Sequence, residues 1–239
     1  MNPIKRLVNY FSIFERTLWL CSVLLITATF LLFDRESYLT LVASLVGATS
    51  LILAAKGHPL SQVLMILFSL LYGVISYGFR YWGEMITYLG MTLPMAAFAL
   101  VSWLRNPFRG NRGEVAVARL RLRELPLMLG LTAAVTLLLG LLLYTTDSSN
   151  PLPGTLSVTT SFVAAYLTLR RSPYFALAYA VNDLVLILLW SLASVSDRSY
   201  LSVVACFLAF FVNDLYGFVS WRRMERRQRR ADDAEGERV

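Results

Sequence analysis

Apolar residues gather in long runs, each closed by a short cluster of charges, glycine or proline, and such runs recur from near the start of the chain to Trp221. A hydrocarbon layer about 30 Å thick takes about 20 helical residues at 1.5 Å each, and the runs match that length. They predict helices at 17–33, 39–55, 60–79, 84–104, 125–144, 155–169, 174–194 and 200–221. The breaks fall at Asp34-Arg35-Glu36, Lys56-Gly57-His58-Pro59, Arg80 to Glu84, Asp147 to Pro153, Arg170 to Pro173 and Ser196 to Ser199. The expected fold is an all-α polytopic membrane protein with eight transmembrane helices.

Composition supports this. Of the 239 residues 57% are hydrophobic and only 15% charged, where a soluble domain carries about 25% charge. Mean hydropathy is +0.60. No soluble domain is left over. Lys5 and Arg6 are not followed by a short apolar core with a small-residue cleavage site, so the first span is expected to be retained.

Basic residues then give the orientation. With eight spans and an inner N-terminus, the cytoplasmic segments hold Lys5, Arg6, Arg16, Lys56, the arginines from Arg105 to Arg123, Arg170, Arg171 and those from Arg222 to Arg238. Only Arg35, Arg80 and Arg198 face outward, as the positive-inside rule asks. Both termini are expected in the cytoplasm, and the protein in the cell's inner (plasma) membrane. The net charge of +7 needs no nucleic acid, and the basic run after Trp221 reads as a topology anchor touching anionic membrane lipid. The polar end, Ala231 to Val239, is expected to be disordered.

Punctuation repeats along the chain. Helices 2–4 contain Lys56-Gly57-His58-Pro59 after their first member and end in Ser102-Trp103-Leu104-Arg105. Helices 6–8 contain Arg170-Arg171-Ser172-Pro173 at the equivalent place and end in Ser220-Trp221-Arg222-Arg223. An odd number of helices links the two triplets, so they are expected to run parallel, in a 1+3+1+3 order. The segments are then an N-terminal piece with accessory helix 1 (1–38), a first triple-helix bundle (39–105), a basic loop with linker helix 5 (106–150), a second bundle (151–224) and a tail (225–239). Trp103 and Trp221, by position, read as interfacial belt residues, and Pro94 is expected to loosen helix 4.

The candidate chemistry lies in helices 7 and 8, which share N-D-L-x5-W: Asn182-Asp183-Leu184 with Trp190, and Asn213-Asp214-Leu215 with Trp221. An acid at the bilayer centre costs about 2.5–3.5 kcal/mol on insertion scales, so two of them mark a functional region. Both asparagines sit eight residues from the inner ends of their helices, about 12 Å deep, and are expected to meet around one ligand. An amide offers a donor and an acceptor for a neutral polar group. Its competing role is an interhelical hydrogen bond worth about 0.6 kcal/mol. Asp183 and Asp214 point about 100° away and can attract a cation, carry a proton or cap a backbone break; structural pairing is the favoured role. Trp190 suits stacking on an aromatic cation. Tyr216 beside Gly217, and Gln62 near the inner mouth of helix 3, complete the candidate set.

Other classes find no support. A Walker loop, Gly-x-Ser-x-Gly and His-Glu-x-x-His are absent from the sequence, so no enzyme is expected. His58 in a loop makes no metal site, Cys21 and Cys206 read as packing residues, and no cofactor is expected.

At Asn182, Asn213-Asp214-Leu215-Tyr216-Gly217 and Trp221, with the basic tail, the chain resembles the PnuC family of vitamin B3 transporters over about residues 40 to 224. The pattern N-x-x-Y-G-x3-W fits 213–221, whereas around Pro94-Met95-Ala96-Ala97-Phe98 only Trp103 remains of it. The resemblance implies a carrier of nicotinamide riboside working by facilitated diffusion, with a cytosolic riboside kinase trapping the product. It implies an architecture similar to SWEET sugar transporters, although neither 39–55 nor 155–169 holds the proline of their Pro-Gln motif. Self-association into a homo-oligomer, a trimer among the candidates, is expected as well. The competing readings are a proton-coupled carrier of another nucleoside-like or sugar substrate, and a non-transporting receptor or accessory protein.

Overall fold

Eight helices long and apolar enough to cross a membrane are present among the described residues. The structure is a computed structural model and describes residues 10–78, 82–145 and 151–236. Arg80, Arg238 and most of the connection from Asp147 lie outside the described residues. The helices are α1 (Ile13–Phe33), α2 (Tyr38–Ala55) and α3 (Leu60–Gly78). Helix α4 runs as Trp82–Ile86, a π-helical turn Thr87–Thr92, and Leu93–Arg105. Then come α5 (Leu125–Thr145), α6 (Pro151–Leu169), α7 (Phe175–Ala193) and α8 (Leu201–Gly236).

The ends of these elements differ from expectation for local reasons. Helix α1 begins four residues early because Ser12 and Glu15 form a capping box: the Glu15 N–H donates to Ser12 Oγ and the Ser12 N–H to Glu15 Oε2. In α4 the proline at 94 has no N–H, and the helix widens just before it, with the Leu93 N–H reaching back to the Tyr88 carbonyl. Helix α8 does not stop at Trp221. It continues as one helix to Gly236, so the expected disorder is corrected for residues 231–236, and residues 237–239 lie outside the described residues. Its acids and bases find partners in the 106–123 segment, where Arg109 meets Glu235 at 2.8 Å and Asp232 at 3.6 Å. Those partners are what composition alone leaves out.

Helices α1 and α5 bury the least of their surface. Helix α1 packs against α2 and α8, and α5 mainly against α6. The central packing runs α3·α2, α2·α8, α8·α7, α7·α6 and α6·α4. One core cluster gathers Phe68, Tyr72, Trp190, Phe207 and Phe210; a second, at the arginine-rich end, gathers Trp103, Phe175 and Trp221.

At that basic end the chain is fastened crosswise. Trp221 Nε1 donates to the Ala54 carbonyl at 2.7 Å and Ser220 Oγ to the Ala55 carbonyl at 2.7 Å, so the end of the membrane-length part of α8 holds the end of α2. Trp103 Nε1 donates to the Thr168 carbonyl at 3.0 Å and Ser102 Oγ to the Leu169 carbonyl at 2.9 Å, so the end of α4 holds the end of α6. The two indoles lie 5.4 Å apart, both with no exposed surface. They are therefore not belt tryptophans facing headgroups. A buried indole needs an acceptor for its N–H, and the open carbonyls of a helix C-terminus supply it.

The loops after α2 and α6 turn in the same way. The His58 N–H reaches the Leu53 carbonyl and the Gly57 N–H that of Ala54; Ser172 and Arg171 do the same to Leu167 and Thr168. These are Schellman closures, whose left-handed residue is Gly57 (φ +66) in one loop and Arg171 (φ +57) in the other. A non-glycine in that conformation costs about 1–2 kcal/mol, so Arg171 must be held by its surroundings. A strap holds it. After the hairpin of β1 (Pro107–Phe108) and β2 (Asn111–Val115), the Val115 N–H donates to the Gly57 carbonyl and the Ala118 N–H to the Arg171 carbonyl, each at 3.0 Å. Gln228 of α8 closes the strap, accepting from the Val117 N–H at 2.8 Å and donating to the Val115 carbonyl at 3.0 Å.

Trp221→Phe and Trp103→Phe each remove one buried hydrogen bond, and each is expected to destabilise the purified protein by about 1–3 kcal/mol. Because the two rings touch, the double variant should depart from the sum of the singles by about 0.5 kcal/mol or more. Thermal or denaturant melts in one detergent check this. Additive losses would mean that the two fastenings act independently.

Candidate functional site

Helices α7 and α8 pack together along the faces that carry Asp183 and Asp214, and these two carboxyls are in direct hydrogen-bonding contact. Both are buried. A hydrogen bond between two carboxyl groups needs a proton between them. Neither acid, nor Glu84, makes an ion pair among the described residues, and the buried oxygens Asp183 Oδ2 and Glu84 Oε2 have no hydrogen-bond partner there.

The asparagines do not converge. Each precedes an aspartate by one residue, about 100° round the helix, and with the aspartates turned to each other the amides are carried to different neighbours. Asn182 Oδ1 accepts from Thr160 Oγ1 at 2.8 Å and Ser161 Oγ at 2.9 Å on α6. Asn213 Nδ2 donates to Ser22 Oγ on α1 at 2.8 Å and to the Ala209 carbonyl at 2.7 Å, while its Oδ1 is buried without a partner among the described residues. The expectation of two amides around one ligand is corrected accordingly: Asn182 ties α7 to α6, and Asn213 ties α8 to α1.

Tyr216 also turns away. Its hydroxyl donates to Glu15 Oε1 at 2.9 Å, its ring lies 5.1 Å from Phe14, and it lines a groove between α1 and α8. Gly217 backs onto Ala176 of α7 instead. Gln62 is buried near the basic end, with Nε2 3.4 Å from Ser61 Oγ.

Trp190 stands in richer company than its sequence neighbours suggest. It lies 15 residues past Phe175, about 22 Å from the basic end. Tyr72 meets it edge-on at 6.3 Å, and Tyr200 lies tilted against it at 5.4 Å. Tyr72 and Tyr88 pack at 4.5 Å, with Phe68 5.7 Å from Tyr88 and Phe207 6.0 Å from Tyr72. Glu84, one helical turn before Tyr88, is buried and acts electrostatically on both tyrosines. From the end opposite the arginines, the polar groups thus descend from Glu84 through Tyr88, Tyr72 and Trp190 to Asp183 and Asp214.

Glu84, Tyr72 and Tyr88 were legible in part. Phe68-x3-Tyr72 and Glu84-x3-Tyr88 carry the four-residue spacing of one helix face, but Glu84 sits at a break and so reads as a loop charge. Acids without bases beside aromatic rings suit a cation: carboxylates attract it, and ring faces stabilise it by up to about 2 kcal/mol when desolvated. Among the described residues no group of three His, Cys, Asp or Glu is placed to hold a metal. His58 sits in its loop at the basic end, where burial lowers its pKa and Nδ1 accepts from the Leu60 N–H.

Known proteins resemble the chain over most of its length. The Nicotinamide riboside transporter PnuC of Neisseria mucosa is 26% identical over 214 residues, covering 87% of this chain and 81% of that one. The protein of the same name from Haemophilus influenzae is 24% identical over 194 residues, covering 80% and 82%. The crystal structure of the Vitamin B3 transporter PnuC superposes with a TM-score of 0.79 at 22% identity, over 91% of this chain and 94% of that one. The family described as Nicotinamide mononucleotide transporter matches residues 37–223. The chain therefore belongs to that family, and is a multi-pass membrane transporter rather than an enzyme.

Proposed function

We propose that the protein carries nicotinamide riboside across the cell's inner membrane, with both termini and the arginine-rich end in the cytoplasm. The observation that carries this is the column of buried acids beside Tyr72, Tyr88 and Trp190, none of them ion-paired to a base among the described residues. A riboside of nicotinamide has a flat, permanently cationic ring and no phosphate. The ring suits the aromatic cluster, and Glu84 opposes its charge. A mononucleotide would bring a phosphate towards three acids, with no lysine or arginine of α7 or α8 at their depth. Electrostatics therefore favours the riboside that the two relatives are named for over the mononucleotide in the family's description.

Transport needs this column to open alternately to each side. The reading is a uniporter in which α2–α4 and α6–α8 rock as parallel triplets about the column, and a cytosolic riboside kinase keeps the substrate inside. Trp190 and Tyr72 flank the ring. Glu84 selects its charge, and the Asp183–Asp214 pair links α7 to α8 below it. Asn182 and Asn213 act on substrate through the helices they hold. Gln62 and Tyr216 position the mouth at the basic end. Assembly as a homo-oligomer, as a trimer, places the apolar outer faces against one another.

The acid pair supports a second reading, a proton-coupled carrier, because a shared proton between two carboxyls is a group that can be loaded and released.

Purified protein in liposomes is expected to equilibrate labelled riboside without any imposed gradient and to leave the mononucleotide outside. Uptake faster under an inward proton gradient, and insensitive to it in Asp183→Asn, would instead establish the coupled reading. Glu84→Gln keeps the side-chain shape and removes the charge. Affinity for the cationic riboside should fall at least tenfold, about 1.4 kcal/mol, with no change for its reduced, uncharged form. Calorimetry with both ligands checks this, and an equal loss for both would refute charge selection by Glu84.

A further inference from the structure

Two cavities of unlike character meet at one residue, Arg223. On the lipid-facing side, a trough of about 420 Å3 runs between α1 and α8, floored by Phe14, Leu18, Val212, Leu215 and Val219 and ending at Arg223. Phe14 is 60% exposed and Val212 51%. At the basic end, a cup of about 600 Å3 opens from the same arginine and is lined by Tyr10, Lys56, Ser220 and Arg227 with Asn111, Gly113 and Glu114 of β2.

The charges in the cup differ in how far they are committed. Arg227 is paired with Glu114. Lys56 lies 3.4 Å from Glu15 and 5.0 Å from the Tyr10 ring. Arg222, outside the cup, is taken by Glu225 at 2.6 Å. Arg223 makes no ion pair among the described residues. Three bases against Glu15 and Glu114 leave the recess with an excess of one positive charge, and that excess lies where trough and cup join. Burial pushes the Tyr10 phenol up to about 12, so it adds no negative charge.

We infer that the α1–α8 trough and the adjoining basic cup form a binding site for one anionic glycerophospholipid, an acyl chain lying along Leu18 and Leu215 and the phosphate resting on Arg223 and Lys56. Apart from Tyr216, whose hydroxyl is taken by Glu15, the trough is apolar within the span, and a hydrocarbon chain gains by covering it. The cup begins at the depth where headgroups begin, at the first basic residues after Trp221. Charge complementarity decides the class: a zwitterionic lipid would bring its own ammonium into a recess that is already positive. A bound lipid of this kind fastens α1, which otherwise holds α8 chiefly through Tyr216–Glu15 and Asn213–Ser22.

Native mass spectrometry of the full-length protein, titrated with phosphatidylglycerol or phosphatidylcholine, tests the site. Wild type should bind the first lipid at least tenfold more tightly than the second. Arg223→Gln should abolish that preference, Arg223→Lys should restore most of it, and Leu215→Trp, which fills the trough, should weaken both lipids. Glycerol 3-phosphate, which has the head without the chains, should not compete. Equal binding of the two lipids by wild type would overturn the inference, as would a preference that survives Arg223→Gln. Competition by glycerol 3-phosphate would overturn it in favour of a soluble phosphate site, and lipid-free oligomers cross-linking through Phe14→Cys and Leu215→Cys would assign the trough to a second copy.

Discussion

Helix ends set the terms for this molecule. An α-helix leaves its last carbonyls unsatisfied, and at the basic end two of those ends lie inside the protein, where water is scarce. The last turn of α2 is closed by Ser220 and Trp221 from α8, and that of α6 by Ser102 and Trp103 from α4. Each fastening joins helices distant in sequence, and the indoles touch each other. The Schellman loops, the strap through Gly57 and Arg171, and the unbroken continuation of α8 all build on these points. A carrier that opens on this side must loosen the fastenings, which places a cost on opening there.

The number and placement of the helices were written in hydropathy because a bilayer demands about 20 apolar residues whatever their order. The direction each side chain faces was not. Asn182 and Asp183 are adjacent and equally polar, so the sequence says that something polar is needed there without saying which of the pair turns inward. Packing of α7 on α8 decides it in favour of the acids. Trp103 and Trp221 stand next to arginines, the usual setting of an interfacial tryptophan, and only the neighbouring helix ends explain why both are buried. The tail illustrates a third limit. Its composition is that of a disordered segment, but Arg109, Glu114 and Val117 supply partners from more than a hundred residues away.

Carboxylates in the hydrocarbon layer connect the fold with the proposed chemistry. Keeping Glu84, Asp183 and Asp214 buried costs several kcal/mol in all, and no base offsets it among the described residues. Asp183 and Asp214 reduce the cost by sharing a hydrogen bond across α7 and α8. Glu84 has no such partner. A cation arriving beside Tyr72, Tyr88 and Trp190 would relieve that penalty, which is the physical basis of the specificity for a charged ring proposed above. The π-helical turn after Glu84 adds slack to α4 at the same place, next to the aromatic cluster.

The position of a bound riboside tests this most directly. A structure of the complex should place the nicotinamide ring among Tyr72, Tyr88 and Trp190, with the Glu84 carboxylate within about 5 Å of it, a distance at which opposite charges still interact appreciably away from water. A ring found against Asn182 or Asn213, with Glu84 remote from the ligand, would contradict the account.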